Sequence, residues 1–186
     1  MSDISFEDRT VIVTGAGNGL GKAYAIELGN RGAKVVVNDL GGSVDGSGSG
    51  STPADEVVNE IIANGGEAVA NYDSVATKDG GEAIVQTAID SFGTVDAVIN
   101  NAGILRDKSF AKMTEEELSL IIDVHLKGTF FVSQPAFTVM KEKNYGRIVN
   151  VASPSGLFGN FGQSNYGAAK MGIVGLTNVL AIEGAK

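Results

Sequence analysis

The chain has 186 residues, enough for one compact domain with a sizeable buried core. Hydrophobic residues make up 43% and charged residues 19%, which excludes a wholly disordered chain. The net charge of −8 argues against nucleic acid or an anionic membrane surface as the main partner, and no apolar run is long enough to span a membrane. Cysteine is absent, which removes thiolate nucleophiles and cysteine-based metal sites, and we expect no metal site.

Short apolar runs alternate along the chain with longer amphipathic segments. The runs are continuously apolar, which is typical of parallel strands that are buried on both faces. This order predicts an α/β domain with a doubly wound parallel sheet, the Rossmann fold. The predicted strands cover 10–14, 34–38, 68–71, 97–100 and 147–152, and the predicted helices cover 19–31, 53–64, 79–92, 115–143 and 164 to the end.

A glycine cluster, TGAGNGLG at 14–21, lies between the first predicted strand and the first predicted helix. Without side chains the backbone can approach a pyrophosphate, and the helix N-terminus supplies free N–H groups. An ordinary glycine-rich turn is the alternative, but the strand–turn–helix position favours a dinucleotide site. The candidate cofactor-binding residues here are Gly15, Asn18, Gly19, Leu20 and Gly21.

Asp39 ends the second predicted strand, downstream of the glycine cluster. A carboxylate at this place can accept both hydroxyls of the adenosine ribose and repels a 2′-phosphate. The flanking Asn38 and Leu40 are uncharged, as is Asn18 in the glycine cluster. The sequence therefore predicts NAD as the cofactor, in preference to NADP.

A phenol and an ammonium, Tyr166 and Lys170, are spaced to share one face of the last predicted helix. A phenol is a poor base at neutral pH, but a neighbouring cation stabilises the phenolate and allows proton exchange with a hydroxyl or carbonyl. Ser153 and Ser155 follow the fifth predicted strand, at the edge where α/β sheets bind their ligands. Taken alone, the Tyr–Lys spacing is more often a helix-surface pair; its meaning comes from the serines and the glycine cluster.

Together these motifs resemble the short-chain dehydrogenase/reductase family. TGAGNGLG at 14–21, NNAG at 100–103, Ser153 and YGAAK at 166–170 occur in the family's order. The resemblance implies that Tyr166 is the general acid/base, that Lys170 favours its phenolate and binds the nicotinamide ribose, and that Ser153 orients the substrate. Ser153 has the family's spacing to the tyrosine and is chosen over Ser155. The resemblance further implies cofactor contacts at Asp73, Ser74, Asn101, Ala102 and Gly103, besides Tyr166 and Lys170.

A narrower resemblance involves one subgroup of that family. VNDLGG at 37–42, ANYDSV at 70–75, NNAGILRDKSF at 100–110 and GNFGQSNYGAAK at 159–170 are similar to the (3R)-hydroxyacyl-CoA dehydrogenase units of peroxisomal multifunctional enzymes and their bacterial relatives. This implies NAD-dependent oxidation of a (3R)-3-hydroxyacyl-CoA in fatty-acid β-oxidation, with acyl-CoA as the partner. The alternatives are a family dehydrogenase for a steroid, sugar or 3-oxoacyl carrier, or a non-catalytic dinucleotide-binding protein.

One position departs from the family pattern. Many members carry a catalytic asparagine where this chain has His125, its single histidine. The imidazole could relay a proton, or it could pack in the helix without chemistry, and the sequence leaves both interpretations open. The aromatic residues Phe110, Phe158 and Phe161 are expected in the core or in a pocket wall.

The family normally continues beyond the tyrosine-bearing helix, through further strands and a substrate lid. We therefore expect residues 1–186 to form a single dinucleotide-binding domain that lacks those strands and the lid, with the fifth strand or its neighbour at an exposed edge. The resemblance also implies a homodimer or tetramer through the helices at 115–143 and 164–186. A soluble intracellular location is expected, cytoplasmic in a bacterium or peroxisomal in a eukaryote.

Overall fold

A computed structural model describes residues 4–43, 45–48 and 50–185. Five strands form one sheet in the order β3-β2-β1-β4-β5, and all neighbouring strands are parallel. The predicted doubly wound sheet is confirmed. The strands are β1 (Thr10–Thr14), β2 (Lys34–Asn38), β3 (Glu67–Asn71), β4 (Ala97–Asn100) and β5 (Arg147–Asn150).

The helices connect the strands and cover both faces of the sheet. Within the described ranges, none of them is long and apolar enough to cross a membrane. They are α1 (Gly19–Asn30), α2 (Thr52–Ala63), α3 (Lys78–Phe92), α4 (Glu115–Ile121), α5 (Gly128–Glu142), α6 (Pro154–Phe158) and α7 (Ser164–Glu183), with a 3₁₀ turn at Phe110–Lys112 and a π-helical turn at Ile122–Lys127.

Two hydrophobic cores lie on opposite faces of the sheet because successive strand residues point to opposite sides. Ile12 and Val36 belong to the core that α3 and α5 complete. Val13 and Val37, one position further along the same strands, belong to the core under α1 and α2. All four side chains are fully buried, and each such burial stabilises the fold by about 1.5–3 kcal/mol. The continuous apolar runs reflect this two-sided burial.

The long helix predicted over 115–143 is interrupted. It begins with a capping box, in which Thr114 and Glu117 exchange side-chain and backbone hydrogen bonds. The chain then widens into the π-helical turn Ile122–Lys127 before α5 continues. Such turns occur frequently at functional sites, and this one contains His125.

Three aromatic residues that were expected in the core or in a pocket wall lie outside the core. Phe110, Phe158 and Phe161 are 83%, 86% and 89% exposed. They sit in segments between β4 and α4 and between β5 and α7, which pack against each other through a hydrogen bond from the Lys108 N–H to the Gly162 carbonyl (2.8 Å). Strand β5 occupies an outer position in the sheet, as expected, and its Val149 is half exposed.

Candidate active site and cofactor site

The glycine cluster forms the turn between β1 and the N-terminus of α1. A Cβ on Gly21 would overlap the Gly15 carbonyl, so this position has no room for a side chain. An added Cβ on Gly19, which has a φ of +55°, would meet no described atom within 4 Å apart from its chain neighbours and its own helix backbone. The Asn18 side chain caps no N–H group, and the first turn of α1 contains no acidic residue. An open helix N-terminus with exposed Leu20 and Gly19 fits a diphosphate.

Asp39 connects the glycine turn to the end of β2 through hydrogen bonds. One carboxylate oxygen accepts a hydrogen bond from the Gly17 N–H (2.8 Å), and the other accepts one from the Gly41 N–H (2.7 Å). A Cβ on Gly17 would overlap the carboxylate and the Pro53 ring. Each carboxylate oxygen has a second lone pair, so Asp39 can still accept ribose hydroxyls beside the turn.

A second set of hydrogen bonds joins the ends of β1 and β4, the two strands between which the chain reverses its winding. The Thr14 hydroxyl accepts from the N–H groups of Asn101 and Ala102, both at 3.1 Å. The Asn101 amide donates to the carbonyls of Thr14 and Gly15, both at 3.0 Å. Asn101 was predicted from the resemblance as a cofactor contact; in the structure its amide holds the glycine turn against the NNAG segment. Thr14 was not singled out from the sequence.

Asp73 and Ser74 follow β3, at the outer end of the same edge of the sheet. The Asn71 amide donates to the Asp73 carboxylate (2.7 Å), and the Asn38 amide donates to the Asp73 carbonyl (2.9 Å). The Ser74 hydroxyl accepts from the Ala76 N–H (3.3 Å). The predicted cofactor contacts Asp73 and Ser74 therefore lie in a hydrogen-bonded turn at the carboxyl ends of the strands, where α/β sheets bind ligands.

Tyr166 and Lys170 lie on α7, with the Lys170 Nζ 5.6 Å from the centroid of the Tyr166 ring. The ammonium is buried and donates to the Val151 carbonyl just beyond β5 (2.5 Å). Burial lowers the pKa of Lys170 to about 8, because the charged form is poorly solvated. The predicted pair is thus brought together, and the cation is anchored to the strand that precedes Ser153.

Ser153 and Ser155 differ in what their hydroxyls do. Ser153 is the N-cap of α6, and its Oγ accepts from the Ser155 N–H (3.2 Å). The Ser155 hydroxyl donates to the Gln163 side chain (2.8 Å). Helix α6 packs on α7, where a Cβ on Gly167 would lie 3.0 Å from the Ser155 carbonyl. The Ser153 hydroxyl hydrogen meets no acceptor in the described part of the chain, which supports the choice of Ser153.

His125 contacts both Tyr166 and the segment that follows NNAG. Its ring is 3% exposed and lies edge-on to the Tyr166 ring, with centroids 5.1 Å apart and an interplanar angle of 87°. Its Nε2 is 2.8 Å from the carbonyl oxygen and 3.1 Å from the amide nitrogen of Ile104, one residue past NNAG. Burial is the main cause that lowers its pKa to about 4, and the Lys170 charge lowers it further.

Comparison with known proteins places this geometry in a family. The family described as short chain dehydrogenase matches residues 9–186. The chain belongs to this family. Short-chain dehydrogenases are oxidoreductases that act on CH–OH groups and typically use a nicotinamide dinucleotide, and the open α1 N-terminus and the Asp39 carboxylate fit such a molecule.

Several short-chain dehydrogenases resemble the chain over nearly its whole length. It is 61% identical over 184 residues to the peroxisomal hydratase-dehydrogenase-epimerase of Saccharomyces cerevisiae, covering 99% of this chain and 20% of the yeast protein. It is 59% identical over 180 residues to a putative short-chain type dehydrogenase/reductase of Mycobacterium tuberculosis, covering 97% of this chain and 63% of that protein. The solved full-length peroxisomal multifunctional enzyme type 2 of Drosophila melanogaster is 48% identical, with a TM-score of 0.81 over 98% of this chain and 29% of that one. The chain thus spans between a fifth and about two thirds of these relatives.

Proposed function

We propose that the protein is an NAD-dependent dehydrogenase that oxidises a (3R)-3-hydroxyacyl-CoA to the 3-ketoacyl-CoA. The observation that carries the chemistry is the buried Lys170 ammonium beside the Tyr166 ring, anchored to the carboxyl end of β5. Oxidation of a secondary alcohol removes a hydride from carbon and a proton from oxygen. The chain has residues that can accept the proton, and NAD, when bound, supplies the hydride acceptor.

Each catalytic residue has a separate task in this proposal. Ser153 donates its free hydroxyl hydrogen to the substrate oxygen and fixes the C3 carbon in position. Tyr166, as the phenolate, accepts the hydroxyl proton while the carbon–oxygen bond becomes a carbonyl. Lys170 stabilises the phenolate through its charge, which acts strongly because the ammonium is buried. In the reverse direction the same tyrosine returns the proton.

The preference for NAD rests on Asp39 and the residues around it. Its carboxylate is held beside the glycine turn by two backbone N–H groups. A 2′-phosphate placed there would meet this negative charge. The flanking Asn38 and Leu40 offer no cation to compensate. NAD is therefore the cofactor that this pocket favours.

Acyl-CoA as the substrate is supported by the names of the relatives and by the subgroup motifs. The yeast relative is called a hydratase-dehydrogenase-epimerase, and the Drosophila relative a peroxisomal multifunctional enzyme. We further propose a peroxisomal location in a eukaryote or a cytoplasmic one in a bacterium.

A homodimer or tetramer is part of the same proposal. Large apolar side chains are exposed on the helices that were predicted to form the interface, and sedimentation would show whether they pair in solution. They are Leu118, Phe130, Met171, Val179 and Ile182, exposed by 43%, 45%, 48%, 51% and 73%.

The experiment that tests the proposed function is NADH formation from (3R)- and (3S)-3-hydroxybutyryl-CoA, offered separately. We expect turnover of the R ester alone, and with NAD in preference to NADP. Turnover of the S ester, or of neither ester while NAD still binds, would contradict the substrate assignment and leave the family membership standing. A preference for NADP would contradict the role given to Asp39.

A further inference from the structure

One nitrogen of the His125 ring, Nε2, contacts the peptide group of Ile104. Nε2 lies within hydrogen-bond distance of both the carbonyl and the N–H of Ile104. A ring nitrogen carries either a hydrogen or a lone pair, so Nε2 can serve only one of these two groups at a time. The other nitrogen, Nδ1, is buried and has no partner among the described residues.

The two tautomers of the neutral ring differ in which donor is left without an acceptor. A hydrogen on Nδ1 would be a buried N–H group with no acceptor, which is rare in proteins because it costs about 1–3 kcal/mol. A hydrogen on Nε2 donates to the Ile104 carbonyl at 2.8 Å, the shorter of the two contacts. The N–H group that then lacks the imidazole as a partner belongs to Ile104, a residue that is only partly buried, and the contact itself is part-buried. The structure therefore favours the Nε2–H tautomer.

A proton relay through the ring lacks an acceptor at Nε2 among the described residues. A proton arriving at Nδ1 would have to leave from Nε2, and Nε2 faces only the Ile104 peptide, whose carbonyl already accepts the hydrogen. The Lys170 charge and the burial of the ring both oppose the imidazolium that such a relay would form. Of the two interpretations left open by the sequence, the relay is the weaker.

The ring also fills the space between the NNAG segment and the tyrosine. A Cβ on Gly103 would overlap the His125 Cε1 and lie 3.1 Å from Nδ1. The ring also packs perpendicular to the Tyr166 ring. The His125 carbonyl accepts from the Thr129 hydroxyl (2.7 Å), which holds the π-helical turn that presents the ring.

We propose that His125 is a positioning residue: as a neutral Nε2–H imidazole it fixes the Ile104 peptide and the Tyr166 ring relative to each other, and it does not transfer a proton during the reaction. The positioning of Tyr166 for catalysis rests on the proposed function, whereas the tautomer and the contact with Ile104 do not. Because His125 is the only histidine of the chain, its state can be observed directly.

The first test is ¹⁵N NMR of the protein labelled at histidine, which gives the tautomer and charge of one ring without any turnover. We expect a neutral Nε2–H signal that stays constant from pH 9 down to pH 5.5. A predominant Nδ1–H signal, or a ring that titrates near pH 6.5, would overturn the proposal. Neither outcome depends on whether the acyl-CoA assignment is correct.

The second test compares two variants with matched properties. His125→Gln keeps an amide that can donate to the Ile104 carbonyl, whereas His125→Phe keeps a ring against Gly103 and Tyr166 without the hydrogen bond. We expect kcat to fall about tenfold in His125→Phe and to stay within about threefold in His125→Gln, with the midpoint of the pH profile unchanged in both.

Three kinetic outcomes would contradict positioning. A shifted pH profile in both variants would indicate a relay, and wild-type kcat in His125→Phe would leave the hydrogen bond without a role. Equal losses in both variants, matching their loss of folded protein, would indicate packing alone. If the wild-type protein turns over neither ester, the proposed function fails, and the NMR result still decides the state of His125.

Discussion

The buried imidazole of His125 should make the stability of the protein depend on pH. Its pKa is about 4 in the folded chain, mainly because burial disfavours the charged ring, against 6.5 for an ordinary histidine. The unfolded chain therefore takes up the proton first as the pH falls. The stability that comes from the neutral ring is complete above pH 6.5 and is lost progressively between pH 6.5 and about 4.

The size of this effect follows from the two pKa values. Between pH 7 and pH 5 the unfolded ring becomes almost fully protonated while the folded ring stays neutral, which lowers the free energy of unfolding by about 2 kcal/mol. Urea unfolding of the wild-type protein and of His125→Gln at both pH values measures it. The glutamine variant lacks this titration, and the carboxylates common to both proteins cancel in the comparison. The same loss of stability in both proteins would refute the buried neutral ring.

Three further substitutions test other parts of the structure. Lys170→Met should raise the free energy of unfolding at pH 7 by about 1–3 kcal/mol, because it removes the buried charge whose pKa is lowered to about 8. In the same variant kcat should fall at least a hundredfold. A lower free energy of urea unfolding than that of the wild-type protein would contradict the idea that burying this charge costs stability. Asp39→Asn should reduce kcat/KM with NAD about tenfold and bring it closer to kcat/KM with NADP, since one carboxylate oxygen and the repelling charge are lost. Steady-state kinetics with both cofactors measure this, and an unchanged ratio of the two kcat/KM values would contradict the role of Asp39. Asp96→Asn should cost about 1–3 kcal/mol in thermal or urea unfolding, because this buried carboxylate accepts hydrogen bonds from the Thr10 N–H (2.8 Å) and the Lys143 ammonium (2.6 Å); wild-type stability would show that these bonds contribute nothing.

The strands and their parallel arrangement could be predicted because two-sided burial leaves a strong local signal. The run around Val35–Val37 is apolar at every position, and both faces are covered in the structure. The π-helical turn at Ile122–Lys127 leaves no such signal: the sequence indicated one continuous helix over 115–143. Its His125 ring contacts Ile104, 21 residues earlier in the chain, and a contact at that separation leaves no mark on the local pattern.

The site was predictable where side-chain chemistry itself defines the function. Tyr166 and Lys170 stand out by type and spacing, and the structure brings them together. The hydrogen bonds by which Asn101 joins two loops were not predicted, because such pairing depends on tertiary structure; its contact with the cofactor stays a prediction. Phe158, at the end of α6, and Phe161, in the loop before α7, were expected in the core or a pocket wall, and the side chains of both are exposed. Burial of a loop residue depends on its neighbours in space rather than on its own hydrophobicity.

The most direct test of the central claim is NADH formation from (3R)-3-hydroxybutyryl-CoA by the wild-type protein and by Tyr166→Phe, with NAD affinity measured for both. Phenylalanine keeps the ring beside His125 and Lys170 and removes only the hydroxyl that exchanges the proton. The proposed mechanism predicts unchanged NAD binding, within about twofold, and a loss of kcat of at least a hundredfold. Full activity in Tyr166→Phe would contradict a dehydrogenase that works through this tyrosine.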